Sequence, residues 1–153
     1  RLALAIARGA THAVDTSTGD PAAAVREIVP GGVDHALEVV GRPETIRLAW
    51  DVLCPGGTAI VVGLAASGVE VALPAIEFLS EKSIRGCYYG SADVADALPR
   101  LAELVATGRL TLADVISHTT DLDGVEAALE RLRRGEGART VVIIDPELAG
   151  RAA

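Results

Sequence analysis

Sulfur-containing and aromatic residues are scarce in this sequence. Its 153 residues include no methionine, one tryptophan, one phenylalanine, two tyrosines and two cysteines. Cys54 and Cys87 are too few for a disulfide framework and lack the close pairing of a structural zinc site. Both are predicted to be small core residues. Half of the residues are hydrophobic, which is enough for a core of ordinary domain size.

Positive charge and long apolar runs are also lacking. The formal net charge is -7, so there is no basic excess to release counterions from a phosphate backbone, and nucleic acid is not expected as a partner. No apolar run approaches the roughly 20 residues that span a bilayer, and the start lacks the apolar core of a signal peptide. We therefore expect no membrane association and a cytoplasmic location.

A start signal is missing as well. The chain opens inside a helical pattern, in which Leu2, Ala5 and Ile6 recur at helical spacing before Gly9, and no cap precedes it. This opening, with the absence of methionine, predicts a fragment of a longer protein.

Short apolar runs between turns alternate with helical patterns along the chain. Strands are predicted at residues 13–14, 33–40, 58–62, 69–73, 83–89, 115–116 and 140–144. Helices are predicted at residues 2–8, 21–29, 43–53 and 94–107, the last kinked or restarted at Pro99, and around Val125, Ala128, Leu129 and Leu132. Run 33–40 suits a strand buried on both faces, and Pro55-Gly56-Gly57 suits a turn before the next strand. This alternation is typical of an α/β fold with a doubly wound parallel sheet.

Ligands of open parallel sheets bind outside the carboxyl ends of the strands. Three such ends stand out: Glu38-Val39-Val40-Gly41-Arg42, Val62-Gly63-Leu64, and the run from Arg85 to Gly90 in which glycines bracket Tyr88 and Tyr89. An ordinary strand end explains each of them when it is taken alone.

The order of these pieces resembles the zinc-type alcohol dehydrogenases of the medium-chain dehydrogenase/reductase superfamily over roughly residues 1 to 145. The matching pieces come in the following order: Arg8-Gly9-Ala10-Thr11-His12, Gly32-Val33-Asp34, Glu38-Val39-Val40-Gly41, Pro55-Gly56-Gly57, Val62-Gly63, Glu81-Lys82-Ser83-Ile84-Arg85-Gly86, Tyr89-Gly90-Ser91, Ile116-Ser117-His118 and Gly137-Ala138-Arg139-Thr140-Val141. The resemblance implies a partial Rossmann-type sheet whose first strands and glycine-rich loop are missing. It also implies that residues 1–112 are the later part of a dinucleotide-binding domain, that residues 113–145 are a carboxyl-terminal return to the catalytic domain, and that residues 146–153 are a tail.

The resemblance assigns cofactor contacts to nine residues. Val39, Val40 and Arg42 would lie beside the adenosine half of the cofactor, and Val62, Gly63 and Leu64 beside the nicotinamide ring. The backbone groups of Val62, Cys87 and Tyr89 would hold the nicotinamide carboxamide, and Arg139 would lie near the pyrophosphate. Leu64 is also placed near the substrate. A guanidinium fork such as that of Arg139 suits a phosphate ligand.

The resemblance implies NAD(P)-dependent, zinc-assisted hydride transfer between an alcohol and its aldehyde or ketone, carried out by the longer parent protein. No catalytic or metal-binding residue is assigned within the chain, since His12, His35 and His118 have no ligand-like spacing. NAD is the expected cofactor, and NADP stays open because the acidic residue that reads the ribose is missing. The isolated chain is expected to be inactive. A homodimer or homotetramer is expected through the strand at residues 69–73, between Val69 and Leu73.

Three other interpretations stay open at this stage. The zinc-free quinone or enoyl reductases share the Pro-Gly-Gly turn, but they usually carry an aspartate and a glycine-lysine pair where this chain has Glu38 and Arg139. A methyltransferase should end in an antiparallel hairpin, whereas the last strands here look parallel. A non-catalytic dinucleotide-binding or assembly module is compatible with every residue present.

Overall fold

The computed structural model describes residues 1–149, and these divide into two compact units. The first unit comprises residues 2–94, and the second comprises residues 95–149 together with Arg1. No helix of the described residues is long and apolar enough to cross a lipid bilayer.

The first unit is a three-stranded parallel sheet with helices. In chain order its elements are α1 (Leu2–Ala7), α2 (Pro21–Ile28), β1 (Val33–Glu38), α3 (Pro43–Asp51), β2 (Leu53–Val61), a 3-10 helix (Ala75–Ser80), β3 (Ser83–Gly86) and a second 3-10 helix (Tyr89–Ser91). The strand order is β1-β2-β3 with both pairs parallel, as the α/β prediction required. Asp20 caps α2, since its Oδ1 accepts a hydrogen bond of 2.9 Å from the Ala22 amide, and Pro21 fits the first helical position.

Helix α3 covers one face of the sheet and forms the core with it. Trp50 and Ala59 are completely buried, and Ala49 and Leu53 complete the buried cluster. The indole Nε1 of Trp50 donates a 2.9 Å hydrogen bond to Glu77, whose carboxylate also pairs with Lys82 at 2.8 Å. These bonds tie the first 3-10 helix to the core and satisfy the polar groups that Trp50 and Lys82 bring into it.

The second unit contains two parallel strands and helices. Its elements are α4 (Val94–Ala106), whose first residue belongs to the first unit, a 3-10 helix (Ala113–Val115), β4 (Ile116–Thr120), α5 (Val125–Arg133), β5 (Arg139–Val142) and α6 (Pro146–Ala149). Strand β4 pairs with β5 in parallel, as the sequence predicted and unlike the antiparallel ending of a methyltransferase. The predicted restart at Pro99 is wrong, because α4 is one continuous helix through it.

Several predicted boundaries are wrong for reasons of strand pairing. Residues 13–14 and 69–73 form no strand in the described part of the chain, because neither segment is hydrogen-bonded into a sheet there. Strand β1 stops at Glu38, β3 at Gly86 and β5 at Val142, all earlier than predicted. The predicted tail, residues 146–153, is helical over Pro146–Ala149, and its remaining residues lie outside the described part of the chain.

The Pro55-Gly56-Gly57 run lies inside β2 rather than before it. Val33 pairs with Leu53 and His35 pairs with Thr58, so residues 54–57 bulge out of the ladder opposite Asp34. Leu53 is buried as expected, but it belongs to β2 and not to the preceding helix. The predicted turn before the strand is therefore wrong, because β2 already begins at Leu53 and the Pro-Gly-Gly run forms a bulge within it.

Burial of β1 on both faces is also wrong. Ala36 packs against the core under α3, whereas Leu37, which points the other way, is 66% exposed. In the described residues β1 is an edge strand with only β2 beside it. Its apolar pattern is thus that of a central strand in an edge position.

Candidate functional site

The carboxyl ends of the three parallel strands meet at one edge of the sheet. Glu38 pairs with Val61, and Val61 pairs with Gly86, so the segments that follow them start side by side. Eight of the nine predicted cofactor residues lie on these segments, all except Arg139. We call this edge, formed by residues 38–42, 61–64 and 86–91, the strand-end site.

Two glycines allow the first two segments to cross at very short range. A Cβ added to Gly63 would collide with the Gly41 amide nitrogen and would lie 2.6 Å from the Val40 carbonyl carbon. A Cβ added to Gly41 would lie 2.5 Å from the Leu64 carbonyl carbon, and Gly41 also has a φ of +83°, which L side chains rarely adopt. The crossing therefore needs glycine at both positions.

Glu38 holds this crossing together from inside. Its side chain is 3% exposed, and its Oε1 accepts hydrogen bonds from the amides of Val40 at 2.7 Å and Gly41 at 2.8 Å. The Thr45 hydroxyl in the first turn of α3 donates to the same oxygen at 2.7 Å. Two further bonds run from the second segment, since the amides of Val62 and Gly63 donate to the Glu38 main-chain carbonyl at 2.8 and 3.1 Å. One glutamate thus fixes both segments and the start of α3.

The Glu38 carboxylate is charged despite its burial. Burial raises the pKa of Glu38, but the hydrogen bonds from Thr45 and the backbone amides together lower it below its ordinary value. The second oxygen, Oε2, is buried and accepts no hydrogen bond from the described residues. It would lie 2.7 Å from a Cβ at Gly63, so the carboxylate fills the space that a side chain there would need.

A shallow depression lies between the second and third segments. Its lining consists of apolar, glycine, cysteine, serine and tyrosine residues: Val61, Val62, Gly63, Leu64, Gly86, Cys87, Tyr88 and Ser91. Leu64 is 91% exposed and Tyr88 is 81% exposed, so both side chains offer apolar surface at this end of the sheet. Tyr89 follows at once, although its side chain is not part of the lining.

The first segment presents apolar surface as well. Val39 and Val40 are 66% and 58% exposed, beside the exposed edge of β1. The Arg42 side chain is exposed and lies 3.6 Å from Glu44. The two valine side chains therefore form an exposed apolar surface, with the Arg42 guanidinium next to it.

Arg139, the ninth predicted residue, lies in the second unit at the first position of β5. It is exposed, pairs with Ile116 in the strand ladder, and borders an apolar groove lined by Val125, Leu129 and Leu132.

No metal centre is visible in the described residues, which contain no group of three or more His, Cys, Asp or Glu side chains placed to hold an ion. Cys54 and Cys87 are unpaired thiols, both partly buried. Desolvation raises the pKa of Cys54, and hydrogen bonding to Asp34 raises it further, so this thiol stays protonated at neutral pH.

Comparison with known proteins identifies the family of the chain. The family model for zinc-binding dehydrogenases matches residues 1–105, which is more than half of the chain. The chain belongs to this family. The predicted resemblance to the zinc-type alcohol dehydrogenases is confirmed by relatives and solved structures of that type.

Among curated proteins, geraniol dehydrogenase of Castellaniella defragrans is 32% identical over 145 residues, which are 94% of this chain and 39% of that protein. S-(hydroxymethyl)glutathione dehydrogenase of Photobacterium damsela subsp. piscicida is 28% identical over 76% of this chain and 32% of that protein. The chain therefore spans about a third to two fifths of these relatives.

Solved structures agree with the fold. Benzyl alcohol dehydrogenase from Acinetobacter calcoaceticus superposes with a TM-score of 0.84 and 31% identity, over 94% of this chain and 40% of that one. Alcohol dehydrogenase TADH from Thermus sp. ATN1 gives 0.80 and 26% identity, over 94% of this chain and 41% of that one. The α/β fold class predicted from the sequence is confirmed.

Sequence reasoning missed the parts of the site that hold it in place. The sequence pattern identifies Glu38 only as part of a strand end and of the family resemblance, not as the buried acceptor of the hydrogen bonds that hold the crossing, and it assigns no role to Thr45. The sequence does contain a signal for Glu38, since a carboxylate inside the apolar run of residues 33–40 needs hydrogen-bond donors if it is buried.

Proposed function

We propose that this chain is the cofactor-binding side of an NAD(P)-dependent alcohol dehydrogenase, which transfers hydride between an alcohol and the nicotinamide ring. The observation that carries the proposal is the strand-end site, where three parallel strand ends converge and Gly41 and Gly63 allow the first two segments to cross at short range. The dehydrogenase family of the chain supports it.

The residues of the site fit the parts of a dinucleotide. Val39 and Val40 offer exposed apolar surface to an adenine ring, and Arg42 offers a guanidinium beside it. Val62, Gly63 and Leu64 border the depression, which suits a nicotinamide ring. Arg139 would bind the pyrophosphate. NAD is the proposed cofactor, and NADP is the alternative.

Backbone groups suit the nicotinamide carboxamide. The Val62 amide already donates to Glu38 and the Cys87 amide donates to the Val61 carbonyl at 2.8 Å, so both amides are committed to the sheet. The carbonyls of Val62 and Cys87 would accept from the carboxamide nitrogen, and the Tyr89 amide would donate to its oxygen.

The residues present do not form a zinc site, so no step of the reaction is assigned to metal ligands of this chain. We propose that the ligands belong to the part of the relatives' length that this chain does not span. When bound there, zinc would supply a Lewis acid for the alcohol oxygen. Glu38 and Arg139 favour a zinc-type alcohol dehydrogenase over the zinc-free quinone or enoyl reductases, which usually carry an aspartate and a glycine-lysine pair at these positions.

Activity of the full-length protein that carries this chain tests the proposal. We expect NADH formation from primary or secondary alcohols, one catalytic zinc per protomer by metal analysis, and loss of turnover after chelation. Full turnover in metal-free protein would favour the zinc-free branch. Failure to reduce either nicotinamide cofactor with any alcohol, or to oxidise it with aldehydes or quinones, would favour the non-catalytic module.

The isolated 153-residue chain is expected to bind NADH weakly or not at all. It has no glycine-rich phosphate loop, and Leu37, Val39 and Val40 are exposed beside the free edge of β1. Titration followed by NADH fluorescence measures this, with the full-length protein as the positive control. Tight, saturable binding to the isolated chain would contradict the expectation.

We also propose the predicted domain limits, with residues 1–112 in the dinucleotide-binding domain, 113–145 in the return segment and 146–153 in the tail. A homodimer or homotetramer through residues 69–73 is proposed too: this segment is unpaired in the described residues and carries Val69, Val71 and Leu73. Sedimentation of the full-length protein measures the oligomeric state. A cytoplasmic location stays a prediction from composition.

A further inference from the structure

The Thr45 hydroxyl lies at the centre of the hydrogen bonds that hold the first segment of the strand-end site, residues 38–42. It donates to Glu38 Oε1 at 2.7 Å, and it accepts a bond of 3.3 Å from the main-chain amide of Arg42. The Arg42 carbonyl is a second acceptor within reach, at 3.0 Å. A hydroxyl has one proton to donate, and the carboxylate is both closer and charged, which makes it the stronger acceptor. Thr45 therefore links the Arg42 amide to the buried Glu38 carboxylate.

This link ties three consecutive amides of the first segment to one carboxylate. The amides of Val40 and Gly41 donate to Glu38 Oε1 directly, at 2.7 and 2.8 Å, and the Arg42 amide reaches the same oxygen through Thr45. Thr45 itself lies in the first turn of α3. The direction of the chain between β1 and α3 is thus set around one buried oxygen.

The orientation of Arg42 depends on the Thr45 bond. Arg42 has extended backbone, with φ of -107° and ψ of 145°, and the following Pro43 restricts it to such conformations. The peptide before Arg42 follows Gly41, which has no Cβ to limit its rotation. Without an acceptor for its N–H, the peptide between Gly41 and Arg42 would turn more freely, and the guanidinium would turn with it. Thr45 supplies that acceptor.

We propose that Thr45 is a positioning residue, which orients Arg42 toward the adenosine half of the cofactor by holding the Arg42 amide. The inference rests on the proposed function, which places Arg42 beside the adenosine. The second segment is fastened differently, since the amides of Val62 and Gly63 donate to the Glu38 main-chain carbonyl. Loss of the Thr45 hydroxyl should therefore affect the adenosine side and spare the nicotinamide side.

The test compares two ligands of the full-length protein by calorimetry. ADP-ribose carries the adenosine and pyrophosphate parts without nicotinamide, and NADH carries both halves. We expect Thr45→Val, which keeps the shape and removes the hydroxyl, to raise the Kd of ADP-ribose about tenfold and the Kd of NADH by the same factor. Thr45→Ser keeps the hydroxyl and should hold both Kd values within about threefold of those of the unchanged protein.

Two further variants separate positioning from general stability. The Thr58 hydroxyl lies 2.9 Å from the Ser83 hydroxyl, where β3 begins and away from the strand-end site, so Thr58→Val should leave both affinities unchanged. In an Arg42→Ala background no guanidinium remains to be positioned, so the additional Thr45→Val change should alter the Kd of ADP-ribose by less than about threefold.

The possible failures are distinguishable. Unchanged ADP-ribose affinity in Thr45→Val, a loss confined to NADH, or an equal loss in the Arg42→Ala background would each overturn the positioning role and leave the proposed function standing. If Thr45→Val does not fold, Thr45→Ala removes the same hydroxyl without a methyl group beside the carboxylate, and it must show the tenfold loss. An unchanged protein that binds neither ADP-ribose nor NADH would overturn both proposals.

Discussion

Replacement of Gly63 by alanine is expected to destabilise the full-length protein by about 3 kcal/mol and to weaken NADH binding at least tenfold. The new methyl group would collide with the Gly41 amide and with Val40, which belong to the main chain and cannot rotate away. Relief requires the two segments to move apart, and this movement would break the bonds from Val62 and Gly63 to the Glu38 carbonyl. Both segments carry proposed cofactor contacts, so stability and affinity should fall together.

Urea unfolding and NADH titration measure the two effects. Gly31→Ala is the matched control, because a Cβ at Gly31 meets no atom within 4 Å and the residue does not need a positive φ. It should change the free energy of unfolding by less than about 0.5 kcal/mol. A Gly63→Ala variant as stable as Gly31→Ala, with unchanged NADH affinity, would show that the close crossing does not exist in solution.

The sequence predicted the elements of this fold better than their pairing. Apolar runs between glycines predicted the positions of β1, β2 and β3, because strands of a parallel sheet covered by helices have nearly continuous apolar sequences. Residues 69–73 alternate like a strand, but alternation cannot show whether a partner strand is available, and none pairs with them in the described residues. The bulge at residues 54–57 likewise depends on where β1 lies and not on local preference.

The site was predictable only in its location. The rule that ligands bind at strand ends, with the family resemblance, brought Val39, Val62 and Cys87 to one edge, and β1, β2 and β3 do end there. How that edge is held could not be read from spacing. The bond from Thr45 to Glu38 and the contact of Gly63 with Gly41 join residues 7 and 22 positions apart, and both require the folded crossing. Tyr89 and Ser91, in the third segment of the site, also adopt left-handed backbone that is unexpected from residue type.

Glu38 is the residue on which the site depends most, and its replacement by alanine is expected to destabilise the full-length protein by about 3 kcal/mol. Alanine would leave the buried amide of Gly41 and the partly buried amide of Val40 without their acceptor, and a buried donor without a partner costs about 1–3 kcal/mol. Glu38→Gln keeps an oxygen for these donors and loses only the charge, so its loss should be smaller, about 1–2 kcal/mol. Glu44→Gln changes an exposed glutamate of α3 and should cost less than about 1 kcal/mol.

The pH dependence separates charge from shape. Because the pKa of Glu38 is lowered on folding, its charge contributes stability that is complete above the ordinary glutamate pKa of 4.5 and is lost as the pH falls from there through the lowered pKa. Urea unfolding between neutral pH and this acid range should therefore show a smaller acid loss in Glu38→Gln than in the unchanged protein. The Glu44→Gln variant should lose as much stability in acid as the unchanged protein.

If Glu38→Gln lost as much stability in acid as the unchanged protein, Glu38 would not be the buried charge that holds the crossing, and the acid sensitivity would belong to other carboxylates. A reduced acid loss in Glu38→Gln, with NADH affinity falling from Gln to Ala in the order of stability, would show that one buried carboxylate sets both the fold and the binding surface at this edge.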